Sequence, residues 1–520
     1  MHTSVNSQDV VSNEIKREIL EGIQTTKIYE LAKRTPLDEA PILSRHLRNK
    51  IFFKREDLQP VFSFKLRGAF HKITLLSKNQ KERGVIAASA GNHAQGVALG
   101  AQKLGISSVI VMPITTPEIK VEAVKNLGAK VVLHGDSYDE SLEHSLKLKE
   151  EKGYTFIHPF DDSEVIAGQG TIGKEIIDEM GNSIDAVFVA VGGGGLLAGI
   201  LTYIKEYYPN IKVIAVESEE SACLTAAMHT GKRVTLDTVG IFADGVAVKK
   251  IGKIPFELVK EKVDEVISVS VDEICTAIKT IYEENRTIQE PAGALGVAGL
   301  KKYVGLHKVQ GQRFVVVNCG ANMNFDRLQH VAERTEIGAN REMLLSVQIP
   351  ETTGSFLKFC QSLGNVMITE FNYRYSDSKV AQVFVGIGLK QSNNQNYIIK
   401  SLTDNGYKVD NISNNDLAKL HIRHMVGGKP PSTIKNEKLY RFQFPERPRA
   451  LLDFLTKMNP SWDISLFHYR NHGSAYGRVL AGIQVSTNEE ALFDQFLKSM
   501  GYDYFDETDN IVCRRFLKAR

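Results

Sequence analysis

Between residues 84 and 317 the chain alternates short apolar runs with longer amphipathic stretches. The runs VIAA from Val85, SVIVM from Ser108, KVVL from Lys130, AVFVAV from Ala186, KVIAV from Lys212 and FVVV from Phe314 are rich in Val and Ile and show little polar alternation. Such runs suit parallel strands covered on both faces, and the segments between them, 117–127 for example, are long enough for crossover helices. The pattern predicts an α/β fold built on a doubly wound parallel sheet, with ligands beyond the carboxyl ends of its strands.

After about residue 326 the strands alternate apolar and polar positions, helices frame them, and the whole arrangement occurs twice. IPETTGSFLKFC from Ile349 matches FPERPRALLDFL from Phe444, EFNYRY from Glu370 matches LFHYRN from Leu466, and QVFVGIGL from Gln382 matches RVLAGIQV from Arg478. The pair Gly406-Tyr407 likewise matches Gly501-Tyr502, and the offset stays at 95 or 96 residues throughout. An offset that constant marks an internal repeat. Each copy reads strand, helix, strand, strand, helix, strand, the α+β ferredoxin-like order. The polar stretch GGKPPSTIKNEK from Gly427 reads as a connector. The divisions expected are 1–330, a connector at 331–340, a first repeat at 341–412, a linker at 413–436 and a second repeat at 437–520.

With 520 residues, 42% hydrophobic and 24% charged, the chain can bury more than one core. Sixty-four Lys and Arg against 61 Asp and Glu leave a net charge of +3, too small for a general binder of nucleic acid or anionic membrane. Small molecules and other subunits are the expected partners. The five cysteines, Cys223, Cys275, Cys319, Cys360 and Cys513, are odd in number and contain no C-x-x-C, which argues against a disulfide framework and for a reducing cytoplasm. The N-terminus has no basic segment followed by an apolar stretch, and no uninterrupted apolar run approaches the roughly 18 residues of a membrane span. Neither H-E-x-x-H, G-x-S-x-G nor G-x-x-x-x-G-K-[ST] occurs, and the 14 histidines form no cluster with metal-ligand spacing.

Four segments could carry chemistry. In EDLQPVFSFKLRGAF from Glu56, Ser63 reads as a helix N-cap and Lys65 falls in the first turn, near Arg67 and the positive end of the helix dipole. That placement disfavours the charged amine and suits a Schiff-base nucleophile; the alternative is a solvated lysine on an amphipathic helix. In VIAASAGNHAQGVALG, a strand ends in a small-residue turn where Ser89, Asn92 and His93 could meet a carboxylate or a ring hydroxyl, or simply form a tight βα turn. In AVFVAVGGGGLLAGI, Gly192, Gly193, Gly194 and Gly195 lead into a helix near Leu196 and could wrap a phosphate; a packing turn is the alternative. Gly193 to Ala198 also fits G-x-G-x-x-A, with Glu217 at the end of the next strand, so a dinucleotide site is a second possibility. In FVVVNCGANMNF, Cys319 could offer a weak thiol hydrogen bond to a heteroaromatic nitrogen or act as a small apolar filler.

Taken together, SFKLRGA around Lys65, SAGNHAQG from Ser89, GGGGL from Gly192, EPAGALG from Glu290 and CGAN from Cys319 resemble the fold-type-II pyridoxal-phosphate enzymes. Their order and spacing are similar to those of the threonine dehydratases, and the two repeats resemble the paired ACT-like regulatory domains of the biosynthetic, allosteric members. The resemblance implies a catalytic domain of two α/β subdomains over 1–330 and ACT-like domains over 341–412 and 437–520. It also implies that Lys65 forms the Schiff base with pyridoxal 5′-phosphate and then serves as base. Asn92 would touch the ring hydroxyl, Gly192 to Gly195 and Leu196 would hold the phosphate, and Cys319 would meet the pyridine nitrogen. The turn Ser89, Ala90, Gly91, Asn92, His93 would bind the substrate carboxylate. The expected reaction is β-elimination of L-threonine to 2-oxobutanoate and ammonia, the entry to isoleucine synthesis, with L-serine as secondary substrate. Isoleucine would inhibit, valine would oppose it, Phe356, Tyr373 and Tyr469 would lie at or near effector contacts, and the assembly would be a homotetramer.

Two departures refine this. Serine racemases of this fold carry a second serine before the Gly-Asn-His turn, where this chain has Ala90, which points to a lyase with little racemase activity. Some relatives bind a divalent metal through carboxylates after the strand that ends near Glu217, but Ser221 and Cys223 stand at the matching spacing, so no metal is expected. A serine-preferring dehydratase, a nicotinamide-linked dehydrogenase and a non-enzymatic amino-acid sensor are the competing readings.

Overall fold

The apolar runs do form strands, but they divide between two sheets. The computed structural model describes residues 7–376, 379–389, 394–445, 449–470, 476–501 and 503–517, which form two units, Met1–Ala332 and Glu333–Arg520. Tyr502, Asn471 and residues 446–448 of the repeat matches lie outside the described residues.

In the first unit the strands are β1 (Leu37–Glu39), β2 (Lys50–Arg55), β3 (Val85–Ala88), β4 (Ser108–Met112), β5 (Lys130–Leu133), β6 (Thr155–Phe156), β7 (Ala186–Ala190), β8 (Lys212–Ser218), β9 (Glu265–Val269) and β10 (Arg313–Asn318). Among the described residues the larger sheet has the order β1-β2-β10-β7-β8-β9, parallel except for β1, and the smaller has β5-β4-β3-β6, all parallel. The chain therefore leaves the large sheet after β2, builds the small one, and returns through the helix Ser163–Met180 to β7. Strands β3, β4 and β7 are buried at every position, as expected of runs without alternation, whereas β5, an equally unbroken run, stands at the sheet edge with Lys130 and Leu133 exposed. No described helix is long and apolar enough to cross a membrane.

In the second unit the strands are β11 (Glu342–Pro350), β12 (Met367–Arg374), β13 (Val380–Gly388), β14 (Lys408–Asn411), β15 (Glu437–Pro445), β16 (Asp463–Arg470), β17 (Tyr476–Gln484) and β18 (Tyr504–Asp506). Each copy has its strands in the order fourth, first, third, second, and β12 pairs antiparallel with β16 so that both copies share one sheet, β14-β11-β13-β12-β16-β17-β15-β18. Phe371 opposes Tyr469 and Tyr373 opposes Phe467 across that junction, while the rings of Phe371 and Phe467 meet edge-on at 5.5 Å between centroids. The segments expected as connector and linker carry structure: 331–340 continues the helix Arg327–Gly338, and 413–436 contains the helix Asp416–Leu420 and the buried Arg423. Arg423 pairs with the buried Glu370 at 2.7 Å, and Arg470 reaches the same carboxylate at 2.9 Å.

Candidate active site

Lys65 opens the helix Lys65–Thr74. Its N-cap is Phe64 rather than Ser63, because Ser63 is drawn into an isolated β-bridge with Gly320; the Ser63 hydroxyl still accepts the Lys65 backbone N–H at 3.3 Å. The Phe64 N–H donates to the Cys319 carbonyl at 3.2 Å and the Ala321 N–H to the Phe62 carbonyl at 2.9 Å. These bonds bring the loop carrying Lys65 to the carboxyl end of β10.

The Lys65 ammonium donates to the Pro159 carbonyl at 3.0 Å and, among the described residues, forms no ion pair. Its side chain keeps some contact with solvent, but its charged end is enclosed, and the loss of hydration lowers the pKa from 10.5 to about 8. The expected contribution of Arg67 is absent from this shift. Arg67 is fully buried and neutralised, forking onto Glu56 at 2.8 Å and Glu175 at 2.6 Å, with Lys54 on the other side of Glu175 at 2.7 Å. Burial, and not a neighbouring cation, makes the neutral amine accessible.

The turn from Ser89 to Gly91 leads from β3 into the helix Asn92–Lys103, whose first-turn N–H groups lack helical partners. The Ser89 hydroxyl accepts the Gly91 N–H at 3.2 Å. Ala90 is half-buried, like Ser89, Gly91 and Asn92 beside it. The His93 side chain is buried, its Nε2 lies 2.8 Å from the Ile157 carbonyl, and burial lowers its pKa to about 3, so it stays neutral.

The glycine loop follows β7. Gly194 has φ +90°, which demands glycine, and a methyl on Gly193 would overlap the Phe160 ring. Gly195 and Leu196 begin the helix Gly195–Tyr207. The buried Cys223 thiol lies 3.4 Å from the Gly192 carbonyl, and desolvation pushes its pKa up to about 12. Cys319 is also buried, its Sγ 3.3 Å from the Ala292 carbonyl, and burial raises its pKa so that it remains a thiol.

Two participants were given no role in the sequence reading, although Glu290 begins one of its motifs. The loop 158–162 supplies the Pro159 carbonyl to Lys65 and the Phe160 ring to Gly193, while Asp161 accepts the N–H groups of Lys253 and Ile254 at 2.9 and 2.8 Å. Its sequence signal, His-Pro-Phe-Asp-Asp, follows the short strand β6. The other is Glu290, whose carboxylate accepts an Asn92 N–H at 2.5 Å; a glutamate just before Pro291 at a helix start was the available clue.

Residues 28–320 match the family described as pyridoxal-phosphate dependent enzyme, and residues 333–422 and 429–517 each match the C-terminal regulatory domain of threonine dehydratase. The biosynthetic L-threonine dehydratase of Pasteurella multocida is 52% identical over 96% of this chain and 97% of its own, and that of Escherichia coli strain K12 is 50% identical over 96% and 97%.

The chain belongs to the biosynthetic threonine dehydratases.

The processed threonine deaminase isoform 2 of Solanum lycopersicum shares the fold with a TM-score of 0.61 and 44% identity, over 65% of this chain and 91% of that one. Maize serine racemase aligns with a TM-score of 0.57 and 31% identity, over 61% and 96%. Membership makes pyridoxal phosphate the cofactor and sets aside the nicotinamide-linked and sensor readings. The local structure agrees: Glu217, the carboxylate a dinucleotide ribose would need, accepts the N–H groups of Leu224 and Thr225 at 2.7 and 2.8 Å and the Thr225 hydroxyl at 2.7 Å. The residues also suit the cofactor, since Lys65 is an enclosed amine that forms no ion pair among the described residues and the loop at Gly193 and Gly194 has no room for side chains.

In the second unit Phe356 and Tyr373 are buried against one another, ring centroids 4.6 Å apart, and the Tyr373 hydroxyl donates to Glu351 at 2.6 Å. Tyr469 opposes Phe371 in the neighbouring strand of the same core and lines an apolar crevice of about 40 Å³ with Cys360, Leu363, Leu451, Phe467 and Arg449.

Proposed function

We propose that this chain deaminates L-threonine to 2-oxobutanoate with Lys65 as nucleophile and base, accepts L-serine as a second substrate, and is inhibited by isoleucine, with valine opposing. The observation that carries the reading is the enclosed Lys65, whose pKa of about 8 keeps a usable fraction of neutral amine near neutrality. Bound pyridoxal phosphate supplies the carbonyl that captures the substrate amine and the ring that withdraws electrons from Cα. Lys65 removes the Cα proton, which leaves with the β-hydroxyl as water, and the enamine left behind tautomerises to an imine and takes up water to give 2-oxobutanoate and ammonia. Asn92 meets the ring hydroxyl, Gly192 to Gly195 with Leu196 hold the phosphate, and the Ser89 to His93 turn takes the substrate carboxylate. Cys319, kept a neutral thiol by burial, gives the ring nitrogen no proton, which favours elimination over reprotonation at Cα. Ala90 offers no base on the opposite face, so stereochemistry at Cα should persist until elimination.

Inhibition requires isoleucine to bind one conformation better than another. The crevice beside Tyr469, about 40 Å³, is lined from the helices Ser355–Leu363 and Ala450–Lys457, and a branched amino acid seated there would part them. Such parting is a differential a ligand could exploit. The acting form is a cytoplasmic homotetramer.

The test is 2-oxobutanoate formation by the reconstituted protein, by Lys65→Ala, and by a chain lacking residues 338–520. Lys65→Ala should be inactive, and the shortened chain active yet indifferent to isoleucine. Turnover by Lys65→Ala, D-serine forming faster than pyruvate from L-serine, or isoleucine inhibition of the shortened chain would each refute its part of the proposal.

A further inference from the structure

Asn92 is gripped at both ends. The Asn322 amide donates one N–H to the Val61 carbonyl at 2.9 Å and another to Asn92 Oδ1 at 2.6 Å, and Asn92 Nδ2 donates to Glu290 Oε1 at 2.5 Å. The Val61 carbonyl can only accept, so Asn322 must present N–H groups, and Asn92 must then turn its oxygen to Asn322 and its nitrogen to Glu290. Glu290 is 4% exposed, and its carboxylate lies so close to Gly320 that a side chain there would collide with it, while Asn322 is held by its bond to the Val61 carbonyl. One Asn92 N–H remains uncommitted.

We propose that Glu290 is a positioning residue for pyridoxal phosphate, acting through Asn92: with Asn322 it locks the Asn92 amide so that an N–H, never the carbonyl oxygen, is presented to the cofactor's ring oxygen. The inference rests on the placement of Asn92 at that oxygen. An N–H stabilises the ionised ring oxygen, whereas a flipped amide would set lone pair against lone pair. Burial, reinforced by the charge of Asp244, raises the Glu290 pKa to about 7, while the Asn92 hydrogen bond, Lys120 and Arg327 act the other way. Lys65 and Cys319 also sense this carboxylate. The lock is therefore expected to be firmest above pH 7, where Glu290 is a full acceptor.

The test compares pyridoxal-phosphate affinity and the pH dependence of the near-visible absorption of the holoenzyme in wild type, Glu290→Gln, Glu290→Ala and Asn322→Ala. Glu290→Ala and Asn322→Ala should weaken cofactor binding about tenfold, the loss of one hydrogen bond to a charged group, and raise the pH at which the absorption band changes form. Glu290→Gln, whose amide oxygen accepts the same N–H, should restore most of the affinity. Should Glu290→Ala fail to fold, Asn322→Ala tests the lock from its other end. Wild-type affinity and band in either alanine variant, or a Gln variant as impaired as Ala, would overturn the inference. A wild-type protein that gains no near-visible absorption with pyridoxal phosphate would instead overturn the cofactor site on which it rests.

Discussion

Replacing Arg67 by alanine should unsettle the helix that carries Lys65 and lower the stability of the first unit alone. Lys54, Glu56, Arg67 and Glu175 have no solvent-exposed side-chain surface and balance as two cations and two anions. Without Arg67, Glu175 keeps Lys54 at 2.7 Å, while Glu56 keeps only the Thr35 hydroxyl at 2.6 Å and the Gln59 amide at 3.2 Å. Breaking a buried pair from one side costs about 3–5 kcal/mol. Unfolding entropy near 2.1 cal/mol/K per residue gives the Met1–Ala332 unit about 0.7 kcal/mol/K, so its melting temperature should fall by roughly 4–7 °C. Far-UV circular dichroism and loss of cofactor absorbance would follow this, and the single tryptophan, Trp462, belongs to the other unit and provides a control. Arg67→Lys should recover only part, because one ammonium cannot fork onto two carboxylates. The gap should also depend on pH. Burial tends to raise the Glu175 pKa, but Arg67 and Lys54 outweigh it and hold the carboxyl below its ordinary value. A depressed carboxyl stabilises the fold above its unfolded pKa near 4.3, and that contribution disappears as pH falls through the folded value. Wild type and variant should therefore converge in acid. A loss below about 1 kcal/mol at pH 7, the range of an exposed ion pair, or a gap independent of pH would refute this account.

Apoprotein should capture pyridoxal phosphate faster as pH rises, with a midpoint near the Lys65 value of about 8, since the neutral amine is the reacting form; a stopped-flow profile flat from pH 7 to 9 would contradict the assignment. The same shift, with the folded pKa below the unfolded one, makes the Lys65 contribution to apoprotein stability rise between about pH 8 and 10.5. Gly193→Ala should weaken cofactor binding at least about tenfold, because its methyl overlaps Phe160, whereas Gly305→Ala, with open space around it, should not; equal affinities in equilibrium dialysis would dismiss the steric argument. Dialysis against a chelator should leave turnover unchanged, because the Glu217 carboxylate already holds three donors, and a large loss restored by a divalent cation would show otherwise.

Much of this protein is legible in its residues because the information is local. Strands β3, β4 and β7 appear as runs without alternation because both faces are buried, and the repeat is visible because a constant offset survives side-chain change. The glycines before Leu196 and the lysine after Ser63 stand out because few residue types tolerate a positive φ or offer a nucleophilic amine. Other features have no local trace. Arg67 reads like any helical arginine until Glu56 and Glu175, 11 and 108 residues away, close on it, and Lys65 owes its lowered pKa to enclosure by segments including residues 94 positions away. Local period and composition determined the runs that become β3, β4, β5, β7, β8 and β10 and the residue types at their ends, but left β1, β2, β6 and β9 unmarked. Only the tertiary structure decided how strands divide between two sheets, how β12 and β16 join the repeats, and which buried charges meet, because desolvation and hydrogen bonding depend on distances in space that sequence separation does not record.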